Sequence, residues 1–291
     1  MKRQNTVRAL ILAIIAAISL SSMALLVKLA SPHASSNFIV FFRYGIGFFY
    51  TMFVLKASRK KVQKGFLVFP KTKHLSLHLI RSFSVVTSML LLYYSLKFIP
   101  LINANLLFMT NALFVPIFLH IFLKYKTNIK TWFSIAFAFL GVTLILRPGL
   151  TTFHLASIVA LASGMLSAIT YITVRQTVKY DPPHVLMAYS NTIAFLFCCV
   201  LLIFHLRIPL SLHSFVLLLG ISISALFYQE FFIRAEKYFP ARTMTTLLYS
   251  SVIFSGLFDW LIWNQVPGLL SLIGFALVIL GNIALFIFSN E

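Results

Sequence analysis

From Ala9 to Val27 the chain runs through apolar and small residues without a single charge, and runs of this kind recur almost to its C-terminus. Nothing else in the sequence constrains the fold so strongly. About 20 consecutive apolar residues cross a bilayer as a helix, whereas a soluble fold made of such runs would have too little polar surface to cover them. The runs are continuously apolar, not alternating, so helices are expected in place of a β-barrel; helices satisfy every backbone group internally. Hydrophobic residues are 60% of the 291 and charged residues 10%, which places the chain in the multi-span membrane class. Reading apolar runs against charged breaks predicts an all-α membrane protein of ten transmembrane helices. They cover roughly 8–30, 37–56, 75–96, 101–123, 131–147, 153–175, 184–206, 212–233, 241–263 and 268–288. The first run lacks an A-x-A-like cleavage site and is expected to remain a membrane helix, not a secretory signal.

The 24 Lys and Arg outnumber the 5 Asp and Glu, for a formal charge of +19. In a soluble chain that excess would suggest nucleic-acid binding. Here the cations sit in short breaks, where they orient membrane helices instead, and no nucleic-acid partner is expected. The even-numbered breaks hold most of them: seven between Lys56 and Lys73, then Lys124, Lys126 and Lys130, then Arg175 and Lys179, then Arg234, Lys237 and Arg242. The N-terminus adds Lys2, Arg3 and Arg8, while the odd breaks offer Lys97, Arg147 and Arg207. Cations in short loops stay cytoplasmic. Both termini are therefore expected inside, in a bacterial inner membrane. The adjacent Cys198 and Cys199 lie in an apolar run and read as small core residues, not a disulfide framework.

A second pattern organises the spans. The phrase Lys97-Phe98-Ile99-Pro100 leads through a helix-length run to Leu140-Gly141, and it returns 140 residues later as Lys237-Tyr238-Phe239-Pro240, leading to Leu280-Gly281. Asn103, Asn105, Thr110 and Asn111 then stand in register with Thr243, Thr245, Ser250 and Ser251. A shared register of prolines, glycines and buried polar groups indicates internal duplication. Each copy, 1–150 and 151–291, holds five spans, and an odd number obliges the second copy to enter upside down. Such inverted repeats are a recurring plan of secondary transporters. Small residues at four-residue intervals, Ala9, Ala13, Ala17 and Ser21 in span one and Ala156, Ala160, Gly164 and Ala168 in span six, are expected to let helices pack closely.

Of the five carboxylates, Glu230 and Asp259 alone fall within spans, where ionisable groups are expensive. Both are candidates for proton or ion coupling. Glu230 can equally form a structural i,i+4 pair with Arg234, and Asp259 can reach the interface near Trp260. Arg43, about two turns inside span two, stays charged and needs acceptors; backbone carbonyls and a ligand are the alternatives. Lys28 and Arg81 lie nearer span ends. Thr110, Asn111, Ser250 and Ser251 fall midway along spans four and nine, where transporters form substrate sites at the repeat interface; interhelical hydrogen bonding explains them equally well. Tyr93, Tyr94, Tyr249 and Trp260 are candidate aromatic walls. His74 and His78 share a helix face but lack a third ligand, so no metal is expected and a membrane-surface location accounts for them. No phosphate-binding loop, acidic metal cluster or nucleophile elbow occurs, and no cofactor is expected.

Phe41-Phe42-Arg43-Tyr44, His78-Leu79-Ile80-Arg81, the Tyr93–Pro100 phrase, Pro116, the Trp132–Arg147 segment and Trp260 through Gly281 together resemble the drug/metabolite transporter superfamily. The resemblance is to proteins with two tandem EamA-type domains and covers nearly the whole chain. It implies ten helices around a central cavity, moving amino acids or related zwitterionic metabolites. The Phe-Phe-Arg and His-x-x-Arg phrases are similar to members that take up S-adenosylmethionine. The chain departs from the family pattern in having Ala112 and Val252 where a mid-span proline is common. It also has Lys124-Tyr125 and Asn264-Gln265 where a Gly-Glu or Lys-Glu pair is common. The expected function is a secondary transporter of a small metabolite working by alternating access in a lipid bilayer. The alternatives are S-adenosylmethionine-type uptake, a membrane enzyme acting on lipid or prenyl substrates, and a non-transporting scaffold.

Overall fold

The computed structural model describes residues 2–59, 72–124, 128–146, 154–203, 211–235, 238, 247–265 and 268–288. Among them the secondary structure is entirely helical. The helices are α1 (Lys2–Ala30), α2 (Ser36–Arg59), α3 (Leu75–Ser95), α4 (Leu101–Met109), α5 (Asn111–Leu123), α6 (Ile129–Leu146), α7 (Leu155–Thr177), α8 (Pro183–Ile203), α9 (Leu212–Ala235), α10 (Ser250–Trp263) and α11 (Leu269–Phe288). Eight segments are long and apolar enough to cross a membrane, α4 and α5 together making one of them, Leu101–Phe122. Ser250–Trp263 and Leu269–Ala284 are apolar but shorter. The ten expected spans therefore stand as eight long and two shorter segments. Part of the ninth, residues 241–246, lies outside the described residues.

Helix faces confirm the solvent these runs require. Phe53 and Phe133 are each 71% exposed, Leu261 69% and Ile203 77%, a degree of apolar exposure that suits lipid and not water. Buried between the helices are small and hydroxylic residues. At the α6–α11 crossing a Cβ on Gly141 would stand 2.5 Å from the Gly274 carbonyl oxygen, and one on Gly281 would stand 2.5 Å from the Ala138 Cβ. Backbones meet here without side chains between them, the close approach that membrane helices use for packing.

The packing obeys an exchange rule. α1 lies along α9 and α3 along α7; α2 pairs with α8, α6 with α11 and α4 with α10. α4 and α5 cross α7 as α10 crosses α1, and α3 meets α8 as α2 meets α9. Swapping the first five spans for the second five returns these pairs. Two further details hold the 140-residue register: Lys124 (φ 54°) and Asn264 (φ 50°) are the non-glycine residues with positive φ among those described, and each caps its helix in the left-handed conformation. A C-terminal left-handed residue closes the helix by satisfying its last carbonyls.

Spans four and nine are both interrupted near their midpoints, at Thr110 and Tyr249. They break although Ala112 and Val252 stand where a mid-span proline is common. Side-chain hydrogen bonding supplies the reason: Thr110 Oγ1 donates to the Leu107 carbonyl (2.6 Å), Asn111 Nδ2 to Phe108 (3.0 Å) and Ser250 Oγ to Leu247 (2.7 Å). These i−3 bonds compete with the helical ladder, and the Leu113 and Val252 amides bond three residues back instead of four.

Candidate functional site

Midway through the bundle, α2, α3, α7, α8 and α9 surround a cavity of about 30 Å³. Arg43 and Tyr44 enter it from α2, and Arg81, Val85 and Met89 from one face of α3. α7 adds Ser167, Thr170 and Tyr171, α8 adds Ser190, and α9 adds Tyr228, Gln229 and Phe232. The spacings i, i+4, i+8 on α3 and i, i+3, i+4 on α7 are those of single helix faces.

Both guanidiniums are buried. Arg43 Nη1 donates to the Tyr93 hydroxyl at 3.0 Å, which in turn donates to Met23 Sδ at 3.2 Å, and its guanidinium carbon lies 4.9 Å from the centre of the Tyr44 ring. Arg81 Nη1 reaches the Leu186 carbonyl at 3.3 Å. Three buried polar atoms of the cavity lining have no hydrogen-bond partner: Arg81 Nε, the Tyr44 hydroxyl and Thr170 Oγ1. Buried polar atoms are nearly always satisfied, so these three leave hydrogen-bonding capacity open on the cavity wall.

The described carboxylates are engaged elsewhere. Asp259, fully buried, accepts from Lys28 Nζ at 3.0 Å and from the Ile102 amide at 2.7 Å, while Lys28 also lies 4.3 Å from the centre of the Trp263 ring. One carboxylate thus ties α1 and α10 to the N-terminus of α4, where helix amides attract negative charge. Glu230 pairs with Arg234. Asp181 accepts from Thr72 at 2.7 Å and contacts His78 Nε2 at 2.9 Å. Burial pushes the Asp181 carboxyl up, but the bonds from His78 and Thr72 outweigh it and hold it below the ordinary carboxylate range. His78, in the first turn of α3, is buried between helices and stacked on Tyr189, with ring centres 4.6 Å apart. Among the described residues no group of three or more His, Cys, Asp or Glu converges.

The other candidate residues lie around the two breaks or outside the cavity. Asn111 and Thr110 are buried at the α4–α5 break, and the Tyr249 hydroxyl donates to the Met109 carbonyl at that break (2.8 Å) while accepting from Asn282 (2.9 Å). Ser251 accepts on its carbonyl from Ser21 and on its hydroxyl from Asn105 (3.2 Å), and Asn105 also bonds Ser255 (2.7 Å). A Cβ on Gly164 would stand 2.7 Å from the Leu107 carbonyl oxygen. So α7 crosses the first break at Gly164 as α1 crosses the second at Ser21. Ser250 is half-buried beside its break, while Tyr94 and Trp260 are 48% and 54% exposed on the outside. Of the expected substrate-binding residues, Arg43 alone lines the cavity. Arg81, Tyr44 and the α7 face were not singled out as binding groups, although the helical spacing of Ser167, Thr170 and Tyr171 was there to be read.

Two larger pockets lie at opposite ends of the bundle. One of about 380 Å³ includes Phe98, Pro100, Asn103, His154 and Asp259; the other, of about 470 Å³, includes Val54, Pro183, His184, Glu230 and Tyr238. Phe98 and Tyr238, partners in the 140-residue register, each line one of them.

Comparison with known proteins gives this geometry its relatives. The model of the EamA-like transporter family matches residues 7–147 and again 154–287. The chain is similar to a pseudopaline exporter of Pseudomonas aeruginosa (strain UCBPP-PA14), 25% identical over 276 residues that cover 94% of each chain. It is also similar to a riboflavin transporter of Vibrio cholerae serotype O1, 23% identical over 211 residues covering 72% of this chain and 71% of that one. A solved structure described only as a crystal structure of a protein superposes with a TM-score of 0.66 at 15% identity, covering 97% of this chain and 98% of the other. That likeness shows a shared fold.

Proposed function

This chain belongs to the EamA-like transporter family, and from that premise we propose that it is a secondary transporter moving a small metabolite by alternating access. Family and relatives point to a membrane-embedded transporter, not an enzyme. The reading adds a mechanism: ten spans in two inverted repeats, 1–150 and 151–291, that rock about the central cavity and expose it to one end pocket and then the other. One observation carries it. The exchange rule of the packing relates the two halves, and the polar cavity lies between pockets at the two ends of the bundle.

Lys56, Lys130, Arg175, Lys179 and Arg234 gather at the Pro183 end, which supports placing that end and both termini in the cytoplasm of a bacterial inner membrane. The cargoes named for the two relatives differ, so relatedness supports the class of small metabolite, with an amino acid or related compound among the candidates. S-adenosylmethionine-type uptake remains a narrower alternative that no contact favours. Glu230 lines the 470 Å³ pocket and is the better-placed coupling group, because Asp259 is held on both oxygens. In this mechanism Asn111, Ser251, Thr110 and Ser250 serve the mid-span breaks as hinges, beside Arg43 as the substrate-binding group.

The test is counterflow in proteoliposomes across a panel of amino acids, nucleosides and cofactors. Exchange of at least one solute is expected, and the Thr110→Val/Ser250→Ala double variant, lacking two i−3 bonds, is expected to exchange it several-fold more slowly at unchanged expression. No exchange of any solute would remove the transport reading; an unaffected double variant would remove the hinges.

A further inference from the structure

The cavity's charge balance says more about what it takes. Arg43 and Arg81 bring two permanent positive charges into the middle of a helical bundle, because a guanidinium does not give up its proton. Burying an uncompensated charge is strongly unfavourable, and an ionisable group kept inside a membrane protein is held there for a partner or a ligand. No protein partner of opposite charge is found among the described residues. Asp259 is bound to Lys28, Glu230 to Arg234 and Asp181 to His78. The acceptors the guanidiniums do have, a tyrosine hydroxyl and a peptide carbonyl, are neutral. The unpartnered atoms on the same walls, Arg81 Nε, the Tyr44 hydroxyl and Thr170 Oγ1, can each donate a hydrogen bond. Donors and positive charge together lack one thing, which is an oxyanion.

We infer that the substrate is a small, doubly negative oxyanion held between Arg43 and Arg81; this deepens the transport reading and rests on it. One anionic group faces the Arg81 fork, whose Nε and terminal nitrogens suit two oxygens at once. The other faces Arg43. The hydroxyls of Tyr44 and Thr170 take further oxygens. A neutral or cationic solute would leave two positive charges in a low-dielectric site. A zwitterion would bring a third positive charge to a cavity with no carboxylate in its described lining. At about 30 Å³ the cavity holds roughly one water-sized guest, so admitting such an anion requires the halves to move apart. A dicarboxylate and a phosphate share this chemistry, and the experiment separates them.

Purified protein is tested with succinate, malate and inorganic phosphate, against alanine and lysine, for thermal stabilisation in detergent and for counterflow in proteoliposomes. Dianions are expected to raise the melting temperature and to exchange, and alanine and lysine to do neither. A response to phosphate without the dicarboxylates supports the oxyanion site and assigns it to phosphate chemistry. Arg81→Gln is expected to weaken the effective dianion by roughly 10- to 100-fold, and Arg81→Lys, which keeps the charge but loses the fork, by less. Should neither variant fold, the wild-type ranking of solutes decides alone. Exchange of alanine or lysine with no response to any dianion would overturn the oxyanion inference and leave transport standing. Stabilisation by a dianion without exchange would overturn transport and leave the site standing. No response to any probe would overturn the inference, and the broader panel would then judge transport alone.

Discussion

Asp259 holds three elements with two oxygens: Lys28 of α1 on one, the Ile102 amide of α4 on the other, and its own α10 behind them. Removing one partner of a buried ion pair costs roughly 3–5 kcal/mol, because the other charge is left unpaired. Asp259→Ala should therefore lower the melting temperature markedly, whereas Lys28→Met/Asp259→Leu should recover part of the loss, because an apolar pair of similar size replaces an ionic one. Recovery should stay incomplete, since the Ile102 amide still lacks its acceptor. Thermal unfolding of the three variants in detergent checks the order, and a double variant no better than Asp259→Ala would sink it. The sequence marked Asp259, Lys28, Arg43 and Arg81 as ions within or near spans, because a charge in an apolar run is conspicuous. It could not pair them. Lys28 and Asp259 meet across 231 residues, and Arg43 and Arg81 come to one cavity only when α2 and α3 take their places in the bundle. Such distances in sequence carry no local signal.

At the scale of helices, apolar periodicity and charged breaks located nearly every element, because each helix must bury its own backbone bonds in lipid. Mid-span breaks were harder to see. The family-like proline is absent, and Thr110, Asn111 and Ser250, read as either substrate-site or interhelical hydrogen-bonding groups, bond their own preceding turn. A hydroxyl or amide side chain in a helix has both uses, and only the fold chooses between them. The helix crossings give a sharper expectation. On Gly164 an added Cβ would lie 2.7 Å and 2.8 Å from the Leu107 and Phe108 carbonyl oxygens, backbone atoms of the broken span; on Gly220 it would meet the end of the Leu26 side chain at 3.0 Å. Backbone cannot yield as a rotamer can. Gly164→Ala should destabilise by roughly 1–3 kcal/mol, the usual range for overpacking, and Gly220→Ala by much less. Comparable melting temperatures for the two variants would mean that α7 does not seat on the break as described.

For the whole molecule the register has a consequence for access. The 140-residue repeat carries Phe98, at one end pocket, onto Tyr238, at the other. The rest of the two linings differs, and so does the ion pair beside each: the Lys28–Asp259 tie at the Pro100 end, the Glu230–Arg234 pair at the other. A transporter of this plan needs the two ends to open in turn, so a probe in each pocket should respond oppositely to the same event. Asn103→Cys reports the Pro100 end and Val54→Cys the Pro183 end, each in a background with Cys198 and Cys199 replaced by Ala. An impermeant maleimide added outside intact cells should label Asn103→Cys and spare Val54→Cys, because the cations that fix orientation gather at the Pro183 end. In inside-out vesicles the preference should reverse. Adding Asp259→Asn to each probe should then raise labelling at Asn103→Cys and lower it at Val54→Cys, since loosening one end shifts the population toward opening there. If both sites gain together, the two ends are not coupled and the halves do not rock as one body about the arginine cavity.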